Sequence, residues 1–107
     1  MAIKFLNGAT AIGASTSHSV RMKSRNHTVQ VTITGAPTAV TVDLEGSLDN
    51  TTFNSLADYV LTAADLTAAA AMFHVVDKPV RYVRVNVTNL VGGTAPTVTV
   101  LYEGETA

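Results

Sequence analysis

Three histidines, two closely spaced carboxylates and a glycine pair are the residues of this chain best equipped for chemistry, and none is spaced to perform it. His18, His27 and His74 lack ligand spacing such as His-x-x-x-His, so no metal site is expected from them. Asp43 and Glu45 stand two apart on one expected strand face, where with Asp49 they could offer oxygens to Ca²⁺. Carboxylates so placed belong far more often to a solvated strand face. Gly92-Gly93 is followed by neither the helix nor the lysine of a phosphate loop and reads as a turn. No Gly-x-Ser-x-Gly element presents a nucleophile. The 107 residues include no cysteine, which excludes disulfides and thiolate metal sites. The expectation is a chain with no catalytic residue, no cofactor and no metal, and not an enzyme.

The elements around these residues explain the absence. The segment Val29–Gly46 recurs, loosened, as Val83–Gly104, and each copy reads strand, Gly/Pro turn, strand. Val29, Val31 and Ile33 alternate with Gln30, Thr32 and Thr34, Gly35-Ala36-Pro37 turns the chain, and Val40, Val42 and Leu44 alternate with Thr41, Asp43 and Glu45. This pattern predicts a hairpin with Asp43 and Glu45 facing out. A one-residue slip would expose a whole aliphatic row, each member worth about 1.5–3 kcal/mol when buried. In the second copy Val83, Val85 and Val87 point inward, Val91–Pro96 forms a looser turn, and Val98, Val100 and Tyr102 are buried. Between the copies, Asp49-Asn50 marks a turn. Phe53 and Leu56 are expected to re-enter the core, and Tyr59–Leu61 forms a short strand. Thr62, with Asp65 three residues on, starts one short helix near 63–71. Met72–Val76 is extended. The fold class is all-β, an antiparallel sandwich of jelly-roll type.

The first 26 residues break the pattern. Asn7-Gly8, Gly13 and the small residues Ala14–Ser17 leave short strands near Ile3–Leu6 and Ser19–Met22. Lys4, Arg21, Lys23 and Arg25 lie here, with no acidic residue before Asp43. The chain is one domain, divided into an N-terminal arm or edge segment, 1–26, and the sandwich proper, 27–107. The basic residues serve either as a solvated edge that deters aggregation or as an arm on an acidic neighbour. On the second alternative Lys4, Phe5, Arg21, Lys23 and Arg25 are the partner-binding candidates.

Composition limits the partners. Charged residues make up 14% of the chain, against about 25% in ordinary soluble proteins, and apolar residues 47%. A domain this small cannot bury everything, so part of a weakly polar surface is expected to be covered by a partner. The bland alternative is a surface of uncharged Thr, Ser and Asn. A net charge of −1 gives no electrostatic case for nucleic acid. The N-terminus does not read as a signal peptide, and no stretch approaches the roughly 20 apolar residues of a membrane helix. Asn26, Asn50 and Asn86 begin Asn-x-Thr triplets, read as ordinary turn and strand residues without an export signal.

Two segments carry a family resemblance. Glu45-Gly46-Ser47-Leu48-Asp49-Asn50-Thr51-Thr52-Phe53-Asn54-Ser55-Leu56 and Arg81-Tyr82-Val83-Arg84-Val85 resemble elements of discoidin-type, galactose-binding-like jelly rolls. Asn50 stands where glycine is usual and Phe53 where tryptophan is. More closely, residues 46–104 resemble small phage virion proteins, the decoration or cement proteins and related head and tail accessories. That resemblance implies β-sandwich subunits that bind a major capsid protein lattice, commonly as homotrimers. It also implies a place on the capsid surface of a virion built in the host cytoplasm. The alternative is a carbohydrate-binding or adhesion module of a phage tail or host-attachment structure. Absence of tryptophan and scarcity of exposed aromatic platforms weigh against it.

Overall fold

Apolar–polar alternation produces strands over most of the chain. The computed structural model describes residues 3–20 and 24–106. It contains β1 (Ile3–Ala9), β2 (Gly13–Ala14), β3 (His18–Ser19), β4 (Ser24–Thr34), β5 (Ala39–Ser47), β6 (Asn54–Val60), α1 (Ala63–Ala68), β7 (Ala70–Val75), β8 (Tyr82–Val91) and β9 (Thr97–Thr106). One sheet has the order β1-β9-β4-β7; the other is β2-β8-β5-β6, with β3 also on β8. All pairs are antiparallel. With β2 and β3 counted as one interrupted strand, the orders are first-eighth-third-sixth and second-seventh-fourth-fifth. Two sheets of eight strands threaded this way form a jelly roll.

The expected hairpin at Gly35-Ala36-Pro37 does not form. β4 and β5 lie in different sheets, as do β8 and β9. Each copy of the near-repeat is an arch across the sandwich. β4 pairs with β9 and β5 with β8, so the two arches face each other. Alternation fixes which side of a strand is buried but is blind to which strand lies beside it. The only sequence-adjacent strands that pair among the described residues are β5 and β6, joined through the Asp49-Asn50 turn.

The arches are locked where their turns meet. Thr94 N–H donates to the Gly35 carbonyl (2.9 Å), and Thr38 N–H to the Val91 carbonyl (2.8 Å). Gly35 and Gly93 have φ of +83° and +74°, a region that side chains disfavour. A β-carbon on Gly35 would lie 2.5 Å from the Thr94 carbonyl oxygen, and one on Gly93 would overlap the Gly35 carbonyl. Ala36 and Ala95, each before a proline, also hold positive φ (52° and 46°), which costs about 1–2 kcal/mol per residue. The arches return that cost through the core. Val29 and Val31 of β4, Val98 and Val100 of β9, Val42 and Leu44 of β5, and Val83 and Val85 of β8 are all fully buried.

The described part of the first 26 residues is woven into this sandwich. β1 forms the edge of one sheet on β9, and β2 and β3 extend the other along β8. Ser15 both donates its N–H to the Val85 carbonyl (2.7 Å) and accepts the Val85 N–H on its hydroxyl (3.1 Å). Phe5 is in the core, its ring 4.9 Å from that of His18 and 5.3 Å from that of Tyr102. α1 starts as the sequence predicts. Thr62 caps it and Asp65 completes the capping box, its carboxylate held below the usual range by the Tyr59 hydroxyl and the Thr62 N–H. The helix stops earlier than expected, because Ala69 takes the left-handed conformation and Ala70–Val75 is drawn into β7 by pairing with β4.

His27 is 1% exposed and tethers the loop after β7. Its Nε2 lies 2.9 Å from the Lys78 carbonyl and its Nδ1 2.6 Å from the Tyr102 hydroxyl. A carbonyl only accepts, so Nε2 carries a proton, and in the neutral ring Nδ1 accepts from the Tyr102 hydroxyl. Burial pushes the Tyr102 hydroxyl up to about 12.

Two outcomes follow from this packing. Gly93→Ala is expected to lower unfolding free energy by about 3 kcal/mol or more, from left-handed strain and overlap together. Gly8→Ala, also at positive φ but with open space around it, should lose only about 1 kcal/mol; urea titration compares them. The second concerns alkali. Between pH 10 and 12 the folded chain keeps the Tyr102 proton that the unfolded chain has lost, so stability falls with rising pH across that window. Tyr102→Phe should flatten the decline in urea midpoints measured from pH 9 to 12.

Candidate functional site

Of the five candidate partner-binding residues, the three that the structure describes, Lys4, Phe5 and Arg25, do not converge. Lys4 is exposed on β1 in register with Leu101 of β9, which pairs with Gln30 of β4. Arg25 lies five residues along β4 from Gln30 and is 3.5 Å from Asp77. Phe5 is a core residue and offers nothing to a partner. Arg21 and Lys23 lie outside the described residues.

The two outer sheet faces differ in chemistry. Across the β5-β6-β8 side lies a polar cluster. Asp43 and Glu45 were expected to be solvated, but Asp43 is 8% exposed, because β5 is central and flanked by side chains of β6 and β8. The Ser55 hydroxyl donates to Asp43. Burial raises the Asp43 carboxyl above the usual range, with Glu45 and Asp58 adding to the rise, although Ser55 opposes it. Glu45 receives Arg84 Nε at 2.6 Å and Asn86 Nδ2 at 3.4 Å. The Arg84 guanidinium also lies 4.1 Å from the centre of the Phe53 ring, a cation–π contact. Phe53 is thus on this outer face, half-buried, and not in the core as expected. Within the cluster Arg84 neutralises Glu45. Among the described residues no group of three or more His, Asp or Glu side chains is arranged to hold a metal.

The β1-β9-β4-β7 face is uncharged over most of its width. Its rows, read from the register, are Thr34–Thr97, Ala70–Thr32–Thr99, Met72–Gln30–Leu101–Lys4 and His74–Thr28–Glu103. Several of its hydroxyls are bonded within the face. Thr34 bonds Thr97, Thr28 bonds His74 Nδ1 (3.0 Å), and Thr99 accepts the Gly8 N–H (3.0 Å). A surface whose polar groups already have partners loses little when another protein covers it. The sequence pattern marked these residues as outward but not as one continuous surface, because that depends on the arches putting β4 beside β9.

A third feature is an open groove of about 400 Å³ between the Gly46–Asp49 turn and Pro79-Val80. Its floor exists because Gly46 lacks a side chain; a β-carbon there would meet Val80 at 2.8 Å and Leu56 at 3.0 Å. Asp49 accepts from Thr52 N–H, Thr51 N–H and the Ser47 hydroxyl, each at 2.9 Å. These bonds hold its carboxyl below the usual range and leave it a structural turn residue. Asn50 takes the left-handed φ (61°) where the resembled family has glycine, and accepts the Ser17 hydroxyl. No aromatic residue lines the groove. Among the described residues no helix is long and apolar enough to cross a membrane.

Asp43→Asn is expected to stabilise the protein at pH 7. The raised folded-state pKa makes the wild type lose stability as pH climbs from its unfolded value. The advantage of the variant should therefore shrink toward pH 3, as read from urea midpoints at the two pH values.

No protein-family model matches the chain, and no curated protein matches it in sequence. Solved structures share its fold. The SPBc2 prophage-derived protein YomS superposes with a TM-score of 0.59 at 14% identity, over 95% of this chain and 88% of that one. The PBSX exported protein XepA gives 0.65 at 11% identity over all of this chain, which spans 37% of XepA's length. A chain of an expanded equine rhinitis A virus particle, a picornavirus capsid, gives 0.51 at 9% identity, over 97% of this chain and 66% of its own. At these identities the shared property is the β-sandwich.

Proposed function

We propose that this chain is a structural virion protein, a capsid decoration or cement subunit that binds the capsid exterior of a phage and stiffens it. The observation that carries this reading is the sparsely charged face of the β1-β9-β4-β7 sheet, on which Thr34 bonds Thr97 and Thr28 bonds His74. Such a face suits repeated protein–protein contact and has no arrangement for turnover. The prophage-derived neighbour YomS supports the reading at the level of fold. The partner is a major capsid protein lattice, and the chain acts as a homo-oligomer, with the trimer as the stoichiometry that the family resemblance implies. Avidity raises the affinity of weak repeated contacts by roughly 10² to 10⁴, so no single contact need be strong. No catalytic role is assigned. The carbohydrate-binding alternative is disfavoured by a groove without aromatic residues, since sugar sites rely on such platforms.

The test uses capsids of the phage that carries this chain, stripped of accessory proteins. Added protein should co-sediment saturably at a fixed number per capsomer and raise the temperature at which the particles release DNA. Thr32→Lys, on the exposed face, should bind at least tenfold more weakly, a loss of about 1.4 kcal/mol, with unchanged thermal unfolding. Failure of the wild type to co-sediment would contradict the reading.

A further inference from the structure

The edge strand β7 is built for pairing, and the other edges are not. β1 pairs with β9 through two register shifts and carries exposed Lys4. β6 follows a register shift opposite Leu44 and Glu45 and carries exposed Asp58. The outer side of β8 is partly covered by β2 and β3. Bulges and charges of this kind are how sheets block edge-to-edge association. β7 has neither. Its pairing with β4 runs from Val75 to Ala70 without a shift, and no charged residue occurs between Asp65 and Asp77. Met72 is 52% exposed and Val76 65%.

The backbone of this edge has a defined polarity. Ile33 N–H donates to the Ala69 carbonyl, which fixes the hydrogen-bonded pairs of the ladder. Ala71, Phe73 and Val75 therefore turn their backbone groups toward β4, and Ala70, Met72 and His74 turn theirs outward. Their side chains lie on the exposed face, and those of Ala71, Phe73 and Val75 in the core.

We propose that β7 pairs antiparallel with β7 of a second copy of this chain, about a two-fold axis at Met72, joining the two four-stranded sheets into one. In this register Met72 exchanges both backbone hydrogen bonds with Met72 of the other copy, and Ala70 does so with His74. On the core side Ala71 meets Phe73, small against large. A second copy is favoured over an unrelated strand because the segment is self-complementary and neutral, so the two-fold axis brings no like charges together. Self-pairing of β6 would set Asp58 near its own copy. The contact closes at two copies, and a trimer would use other surfaces. Edge pairing is a property of the isolated chain and does not depend on the virion reading.

The chain has no cysteine, so a single one reports on the axis. Across a hydrogen-bonded pair the α-carbons are about 5.5 Å apart, within disulfide range. Met72→Cys at micromolar concentration under mild oxidant should form covalent dimer about a hundredfold faster than Val60→Cys on β6, because pairing holds the thiols at millimolar effective concentration. Val60 is 62% exposed, so the two thiols are similarly accessible. Light scattering should give the wild type twice the mass that it gives Met72→Lys. Equal cross-linking rates for the two cysteine variants would overturn the proposal. So would a wild type of single-chain mass at every concentration, and that result would leave the edge open to a strand from another protein.

Discussion

The contact between the two turns at one end of the sandwich decides which strands can pair. Gly35 and Gly93 bring the turns within hydrogen-bond reach, Thr94 N–H onto the Gly35 carbonyl and Thr38 N–H onto that of Val91. Only in that arrangement do β4 and β9 run side by side in one sheet while β5 and β8 do so in the other. These central ladders hold the fully buried valines. A side chain on either glycine would push the turns apart and loosen both ladders together. The remaining strands are placed outward from them, so the location of every edge follows from this contact.

Surface chemistry follows in turn. Placing β4 beside β9 aligns two threonine-rich strands and makes one broad face with few charges, its hydroxyls bonded across strands. Placing β5 between β6 and β8 gathers Asp43, Glu45, Arg84 and Asn86 on the opposite face, where Arg84 and Asn86 donate to Glu45 and Ser55 of β6 donates to Asp43. One side of the molecule thus gathers carboxylates around the Arg84–Glu45 pair, and the other carries few charges. That division suits a protein that works by covering and being covered.

Much of this was legible in the residues. Alternation identified the buried valines of β4, β5, β8 and β9, and Thr62 with Asp65 marked the helix start, because both depend on local side-chain chemistry. What was not legible depended on partners distant in sequence. The hairpin at Gly35-Ala36-Pro37 is an arch, since the same turn residues serve either path. Asp43 is buried and Phe53 lies outside, because burial on an outer face is set by neighbouring strands. Phe5, taken as a partner-binding residue, is core because β1 joins β9. The open edge at β7 was latent in the uncharged run from Leu66 to Val76, but such a run reads equally as a buried strand until its place at the sheet edge is known.

The most direct test of the turn contact is amide hydrogen exchange at Thr38 and Thr94, followed by NMR. Turn amides in ordinary loops exchange by local opening. If the two arches are locked through these groups, both amides should exchange only with global unfolding, at the rate of the Gln30 and Leu101 amides paired across the central strands β4 and β9. Exchange at Thr38 and Thr94 much faster than in those strands would mean that the turns open independently, and the contact between them could not be what holds the sheets in register.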